Sequence, residues 1–166
     1  MLILKLIHTF LGFNAIIGGV AACIRMISGR SFEEWVGHFL GFSLAVSAVG
    51  LVFSLDHTSL IQWLTMLGVC VSAFAVISLR KFNSNEKWGT TLILSTMCAL
   101  CLDLLIMIVH VFSVLAILSV LGWPQADFLF SISMVTAVLV FAVLSLIAVK
   151  KNHHGERAPV PQKVSR

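Results

Sequence analysis

Long apolar runs separated by short polar stretches dominate the pattern along this chain. A helix needs about 20 apolar residues to cross the ~30 Å hydrocarbon core of a bilayer. Five runs reach that length, and each stops at a short stretch of charged or turn-forming residues. The pattern predicts spans over 4–27, 34–55, 60–79, 89–121 and 128–149. We therefore expect an all-α polytopic transmembrane helix bundle of five spans.

The fourth run is longer than one crossing requires. Between Gly89 and Leu121 only Asp103 carries a charge, and a helix of that length would be about 50 Å long. Either the helix tilts and projects beyond the lipid, or it bends near Ser113 so that the remainder lies along the outer interface. Since no turn residue precedes Gly122, both alternatives give a single crossing.

Composition identifies lipid as the solvent of most of the chain. The sequence is 59% hydrophobic and 11% charged, whereas soluble domains have roughly 45–50% apolar and about 25% charged residues. A short chain cannot hide this excess in one core. We expect two regions, a helical bundle over 1–149 and a basic disordered cytoplasmic tail over 150–166.

All basic residues except Lys5 follow alternate spans, and the long stem of Lys5 lets its charge reach the outer headgroups. Those after the first, third and fifth spans are Arg25, Arg30, Arg80, Lys81, Lys87, Lys150, Lys151, Arg157, Lys163 and Arg166. The loops around Asp56 and Asp127 hold no Lys or Arg. By the positive-inside rule, the N-terminus lies outside and the C-terminus in the cytoplasm. Scattered in this way, the +4 net charge predicts a lipid bilayer partner and no nucleic acid.

Small residues recur at helical spacing on the first two spans. They are Ala15, Gly19 and Cys23 on the first span, and Gly37, Gly41, Ser43 and Ser47 on the second. Small side chains let helix backbones approach closely in lipid. We therefore expect the first two spans to form an antiparallel pair packed on these residues.

Asp103 is the one charged residue well inside a span, where an ionised carboxylate costs about 2.5–3.5 kcal/mol. His110 lies seven residues further on, on the same helical face. The predicted threading puts several more polar residues in the outer half of the bundle. The resulting candidate intramembrane polar site comprises Asp103, His110, His8, Asn14, His57 and Asp56.

Three interpretations of this candidate site remain open. In the first, Asp103 and Asn14 make interhelical hydrogen bonds and no cofactor is bound. In the second, Asp103 is the acid of a proton-linked or metal site, with His8, His57 or His110 as ligands and the metal unknown. In the third, His8 and His110 hold a b-type haem between facing helices.

No sequence motif indicates a soluble-type enzyme: no nucleotide-binding glycine loop, Ser-His-Asp order, zinc-ligand spacing or paired carboxylates are present. We expect a non-enzymatic accessory, assembly or interaction subunit that associates with other membrane subunits or with itself. The alternative is a small membrane protein that handles protons, a metal or haem through the His and Asp residues of the outer half.

Three segments resemble a group of small, uncharacterised bacterial multi-pass membrane proteins. They are "LIHTFLGF", "EEWVGHFLGF" and "CLDLLIMIVHVFSVLAIL…WPQADFLF", which cover the starts of the first two spans and the link from the fourth span to the fifth. The resemblance implies a helical bundle in the bacterial inner membrane and no activity. The group carries an amide where this chain has Asp103, so the resemblance implies no shared proton-handling role.

Overall fold

The computed structural model describes the backbone of residues 2–53, 60–82, 88–118 and 126–154, and within them the side chains of 7–51, 62–82, 88–109, 111–112 and 128–152. Five helices make up nearly all of it: α1 (Leu2–Ser28), α2 (Glu33–Phe53), α3 (Leu60–Phe82), α4 (Gly89–Leu118) and α5 (Ala126–His154). All five are long and apolar enough to cross a membrane. The prediction of an all-α chain with five such helices is confirmed.

Two helices extend beyond their predicted ends. The third continues to Phe82 and the fifth to His154, past basic residues that were expected to end the spans. Lys and Arg can lie within a helix at the membrane surface, because their long stems let the charged groups reach water. The predicted bend of α4, the orientation of the chain and the tail beyond 154 lie outside what the described residues test.

A glycine ends α1 and turns the chain into α2. Gly29 has a φ of 68°, a conformation that L side chains rarely adopt. The Arg30 amide donates to the Arg25 carbonyl at 3.0 Å, and the Gly29 amide donates to the Met26 carbonyl at 3.3 Å. These two bonds form a Schellman motif, which satisfies carbonyls that the end of a helix leaves unpaired.

Helix α4 is the centre of the bundle and contacts all four other helices. In its membrane-spanning part 56% of the residues are buried, against 6% in α5. Consecutive helices pack against each other, and α1 also contacts α4 and α5. The largest fully buried side chains belong to α1, α2 and α4: Met26, Phe39, Leu40, Leu92, Ile93, Met97 and Leu100.

Two adjacent glycines let α1 approach its neighbours closely. A Cβ atom on Gly18 would lie 3.3 Å from the Phe39 Cα. A Cβ atom on Gly19 would lie 3.0 Å from the Phe39 Cδ2 and would overlap a methyl group of Leu100. The expected antiparallel pair of α1 and α2 is present, and Gly19 lies at the point where this pair meets α4.

Gly37 and Gly41 are placed differently from Gly19. A Cβ atom on Gly41 would meet nothing within 4 Å, and one on Gly37 would meet only Leu79, at 3.9 Å. Within the described bundle these two glycines make no close contact between α1 and α2. Their small surface is on an exposed face of α2.

Aromatic rings hold basic side chains at one end of the bundle, where α1, α3 and α5 finish and α2 and α4 begin. The Arg25 guanidinium lies 5.5 Å from the centre of the Trp35 ring. The Lys81 ammonium lies 4.2 Å from the centre of the Trp88 ring. Both distances allow cation–π attraction. We call this end, which also holds Lys150, the basic end.

Helix α5 lies at the edge of the bundle and contacts only α4 and α1 among the described helices. Near the basic end the Asn152 side-chain amide donates to the Met26 carbonyl at 3.0 Å and to the Ala148 carbonyl at 2.8 Å. Near the opposite end the Phe130 ring lies 5.4 Å from the Phe112 ring of α4. Contacts near both ends therefore fix α5 in place.

We expect Gly19→Leu to destabilise the protein by about 1–3 kcal/mol, because the added side chain must displace Phe39 and Leu100 from a packed interface. Gly12→Leu is the matched control on the same helix, since a Cβ atom there would meet nothing within 4 Å. The measurement is unfolding in mixed detergent micelles. Equal stability of the two variants would contradict the packing described for Gly19.

Candidate functional site

Asp103 occupies the middle of the central helix, as the fifteenth of the 30 residues of α4. Its Oδ2 atom is buried and has no hydrogen-bond partner among the described residues. Thr96 lies two turns away on the same face, is 2% exposed, and its hydroxyl likewise has no described partner. Buried polar groups in proteins are normally hydrogen-bonded, so this face of α4 is chemically unusual.

Two serines from neighbouring helices join Asp103. Ser43 of α2 and Ser72 of α3 are both fully buried, and their hydroxyl oxygens lie 3.2 Å apart. The Ser43 hydroxyl also lies close enough to the Asp103 side chain to interact with it. We call these three residues the Asp103 cluster. It joins α2, α3 and α4 through polar side chains at the centre of the bundle.

The Ser43–Ser72 pair differs from other serines of the bundle. The hydroxyls of Ser78 and Ser145 donate to the backbone carbonyls four residues earlier, at 2.9 and 2.7 Å. Such bonds satisfy a serine within its own helix. A hydroxyl that instead bonds across helices fixes their mutual position, so the Ser43–Ser72 pair sets the register of α2 against α3.

No positive charge balances the Asp103 carboxylate within the described part of the chain. The Lys and Arg residues whose side chains the structure describes lie at or near the basic end: Arg25, Arg30, Arg80, Lys81, Lys150 and Lys151. Asp103 lies seven residues after Thr96 and about 20 Å along α4 from the start of this helix at Gly89.

His8 and Asn14 are both described, and they lie in different surroundings. The His8 Nε2 atom lies 3.6 Å from where a Cβ of Gly50 would be, on the side of the bundle away from the basic end. The Asn14 side-chain amide donates to the Phe10 carbonyl of its own helix at 2.8 Å. Asn14 is therefore bonded locally, while His8 contacts α2 two turns beyond Ser43.

Other members of the predicted site lie outside the described residues. They are Asp56 and His57, together with the side chain of His110. Among the side chains that the structure does describe, no group of three or more His, Cys, Asp and Glu residues could hold a metal ion. The predictions of a metal or haem site that use His57 or His110 stay predictions.

Ser72 was not among the residues that the sequence singled out. The signal was present, because Thr65, Gly68 and Ser72 repeat at intervals of three and four residues on α3, matching the spacing of small residues on α2. In the first two spans this spacing was interpreted as the contact between α1 and α2. Ser43 of α2 instead bonds to α3.

Comparison of this chain with protein-family models, curated proteins and solved structures finds no match. The resemblance to the bacterial multi-pass group therefore stays a prediction.

We expect Ser43→Ala to destabilise the protein by about 1 kcal/mol, because it removes a hydroxyl that bonds to Ser72 and interacts with Asp103. Ser133→Ala is the matched control, since the Ser133 hydroxyl bonds only to the Leu129 carbonyl of its own helix. Unfolding in mixed micelles measures both. The double variant Ser43→Ala, Ser72→Ala should cost less than the sum of the single changes, and strict additivity would argue against the bond between them.

Proposed function

We propose that this protein is a non-enzymatic accessory or assembly subunit of the membrane, and that α5 is the helix by which it binds its partner. The observation that carries the proposal is the exposure of α5. Only 6% of its membrane-spanning residues are buried, although it has the highest mean hydropathy of the five spans, 2.7. An apolar helix held at the edge of a bundle offers its whole outer side to another membrane helix.

The exposed outer side of α5 also borders a groove. Leu105 of α4 and Met134, Val135, Val138 and Leu139 of α5 line a wholly apolar groove of about 270 Å³. Helix association in lipid depends on close packing of complementary shapes, because the hydrophobic effect does not favour protein over lipid there. A groove between two helices can accept side chains from a partner helix.

The remainder of the bundle supports the same function. Its described centre is filled by packed apolar side chains around α4, with a small number of buried Ser and Thr residues among them. The proposal accordingly includes no resident cofactor. Its partners are the lipid bilayer and either another membrane subunit or a second copy of this chain.

The proposed location is the bacterial inner membrane, with the N-terminus outside and the C-terminus in the cytoplasm. The placement of Lys and Arg at the basic end supports this orientation through the positive-inside rule. The basic tail would then face the anionic lipids of the cytoplasmic leaflet.

In the variant Thr58→Cys the new cysteine is in the loop that is predicted to lie outside. We expect it to react in intact cells with a maleimide that cannot cross the membrane. A cysteine at Ser165→Cys should react only after the cells are permeabilised, because the segment that carries it follows the basic end of α5. Both variants are compared with the unchanged chain, whose own four cysteines lie within helices. Labelling with the reverse preference would overturn the proposed orientation.

We expect a photo-crosslinking amino acid at Leu139 of α5 to form a discrete protein adduct in native membranes, since its side chain is 60% exposed on the outer side of α5. Phe74 of α3, which is 49% exposed, is the matched control and should give lipid adducts only. Addition of 18.1 kDa would identify a second copy of this chain, and another mass a different subunit. Lipid adducts alone at Leu139, as at Phe74, would contradict binding through α5.

A further inference from the structure

A line of small and polar residues runs between α2 and α3. The first pair is Ser43 and Ser72, whose hydroxyl oxygens lie 3.2 Å apart. One turn further, the Ser47 hydroxyl lies 3.9 Å from where a Cβ of Gly68 would be. The next step pairs Gly50 with Thr65. We call these six residues the polar seam: Ser43, Ser47 and Gly50 on α2, and Thr65, Gly68 and Ser72 on α3.

The pairing along the polar seam is regular. A Cβ on Gly50 would lie 3.5 Å from the Thr65 methyl carbon, and each step along α2 is matched by an equal step in the opposite direction along α3. The hydroxyl-bearing residues are buried, with Ser47 2% and Thr65 4% exposed. Helix interfaces in lipid use small residues for close packing, but packing alone does not require hydroxyl groups.

Titratable side chains lie at both ends of the polar seam. Asp103 contacts Ser43 in the middle of the bundle, and His8 lies beside Gly50. Ser43 and Gly50 are seven residues apart, or about 10.5 Å along the helix. The seam therefore extends from the central carboxyl towards the end of the bundle opposite the basic end.

The surroundings of Asp103 favour a proton over a metal ion as its ligand. The Asp103 cluster offers one carboxyl group and two hydroxyls, whereas Ca²⁺ takes 6–8 oxygen ligands and Mg²⁺ about six. An ionised carboxylate without a counter-charge is costly in the membrane interior. A bound proton removes the charge and turns the carboxyl into a hydrogen-bond donor as well as an acceptor.

Among the described titratable groups on α4 and on the helices packed against it, Asp103 is the one carboxyl near the middle of the bundle. On α5 there are none between Phe128 and Val149. On α1 to α4, apart from Asp103 and those at the basic end, they are His8, Cys23, His38, Cys70, Cys98 and Cys101.

We propose that the Asp103 carboxyl binds a proton, and that this proton exchanges with water along the polar seam from the end of the bundle that carries His8. The step is an acid–base exchange: as the O–H bond of the acid breaks, the neighbouring hydroxyl or water oxygen accepts the proton and passes its own proton to the next oxygen towards water. Transfer in the opposite direction then brings a proton from water to the carboxylate. Ser43 is the first relay group, since a hydroxyl both donates and accepts hydrogen bonds. Successive hydroxyls one turn apart, about 5.4 Å, are close enough for one bridging water.

The experiment is infrared spectroscopy of the full-length protein in liposomes during exchange from H₂O to D₂O. Solvent-exposed carboxyl groups are ionised at pH 7, so a protonated acid in the membrane has its own C=O band. We expect that band at pH 7, its loss in Asp103→Asn, and a rapid isotope shift in the unchanged protein. If the unchanged protein lacks the band, or if the band survives in Asp103→Asn, the proton site is refuted.

The proposed path of proton exchange is tested by filling the polar seam with a larger apolar side chain. Ser47→Leu should slow the isotope shift by roughly tenfold, because exchange must then wait for local opening of the helices. Ala48→Leu is the matched control on the adjacent exposed position and should exchange at the original rate. If Ser47→Leu does not fold, Ser47→Ala, which removes the hydroxyl and adds no volume, should still slow exchange relative to Ser133→Ala.

An unchanged rate in the foldable Ser47 variants would overturn the route, even if the band identifies Asp103 as protonated. Neither outcome depends on which partner, if any, binds α5. The proton site and the proposed accessory function can therefore fail separately.

Discussion

The fold depends on one constraint: hydrocarbon offers no hydrogen bonds, so each polar group in the membrane must find its partner inside the protein. The backbone satisfies this by forming five helices. The carbonyls at the end of α1 are satisfied by a glycine turn and by the Asn152 amide. The same constraint draws the serines of α2 and α3 together at the centre. Asp103 departs from the rule, because one of its oxygens is buried without a described partner, and that departure is where chemistry is to be sought.

The sequence predicted the helices well because apolar length is a property of single segments. The runs around Asp103 and after Phe128 were identified without knowledge of their neighbours, and each is a helix. Which face of a helix meets which neighbour depends on two sequences at once. Gly37, Gly41 and Gly19 all had the spacing of a helix contact, yet among these only Gly19, together with its neighbour Gly18, makes a close approach in the described bundle. Ser72 was not predicted, because its contact with Ser43 can be recognised only when both helices are considered together.

The candidate site stays a prediction, because Asp56, His57 and the His110 side chain lie outside the described residues. The position of Asp103 in the middle of a span follows from counting residues, and so does the level of His8. The partner of Asp103 does not, because depth alone cannot say which side chain on a facing helix points inward. The helices differ in how they are packed. Helices α1 to α4 enclose a polar centre, and α5 covers one side of α4 while leaving its own outer side available.

The bond between Asn152 and the Met26 carbonyl joins residues 126 positions apart, and this separation has a consequence for biogenesis. A ribosome completes α1 and its turn long before it makes Asn152, so until then the Met26 carbonyl accepts only from the Gly29 amide of its own turn. The last helix to leave the translocon therefore completes the hydrogen bonding at the end of α1. A chain that ended before Asn152 would insert its earlier helices and still lack this hydrogen bond between α5 and α1.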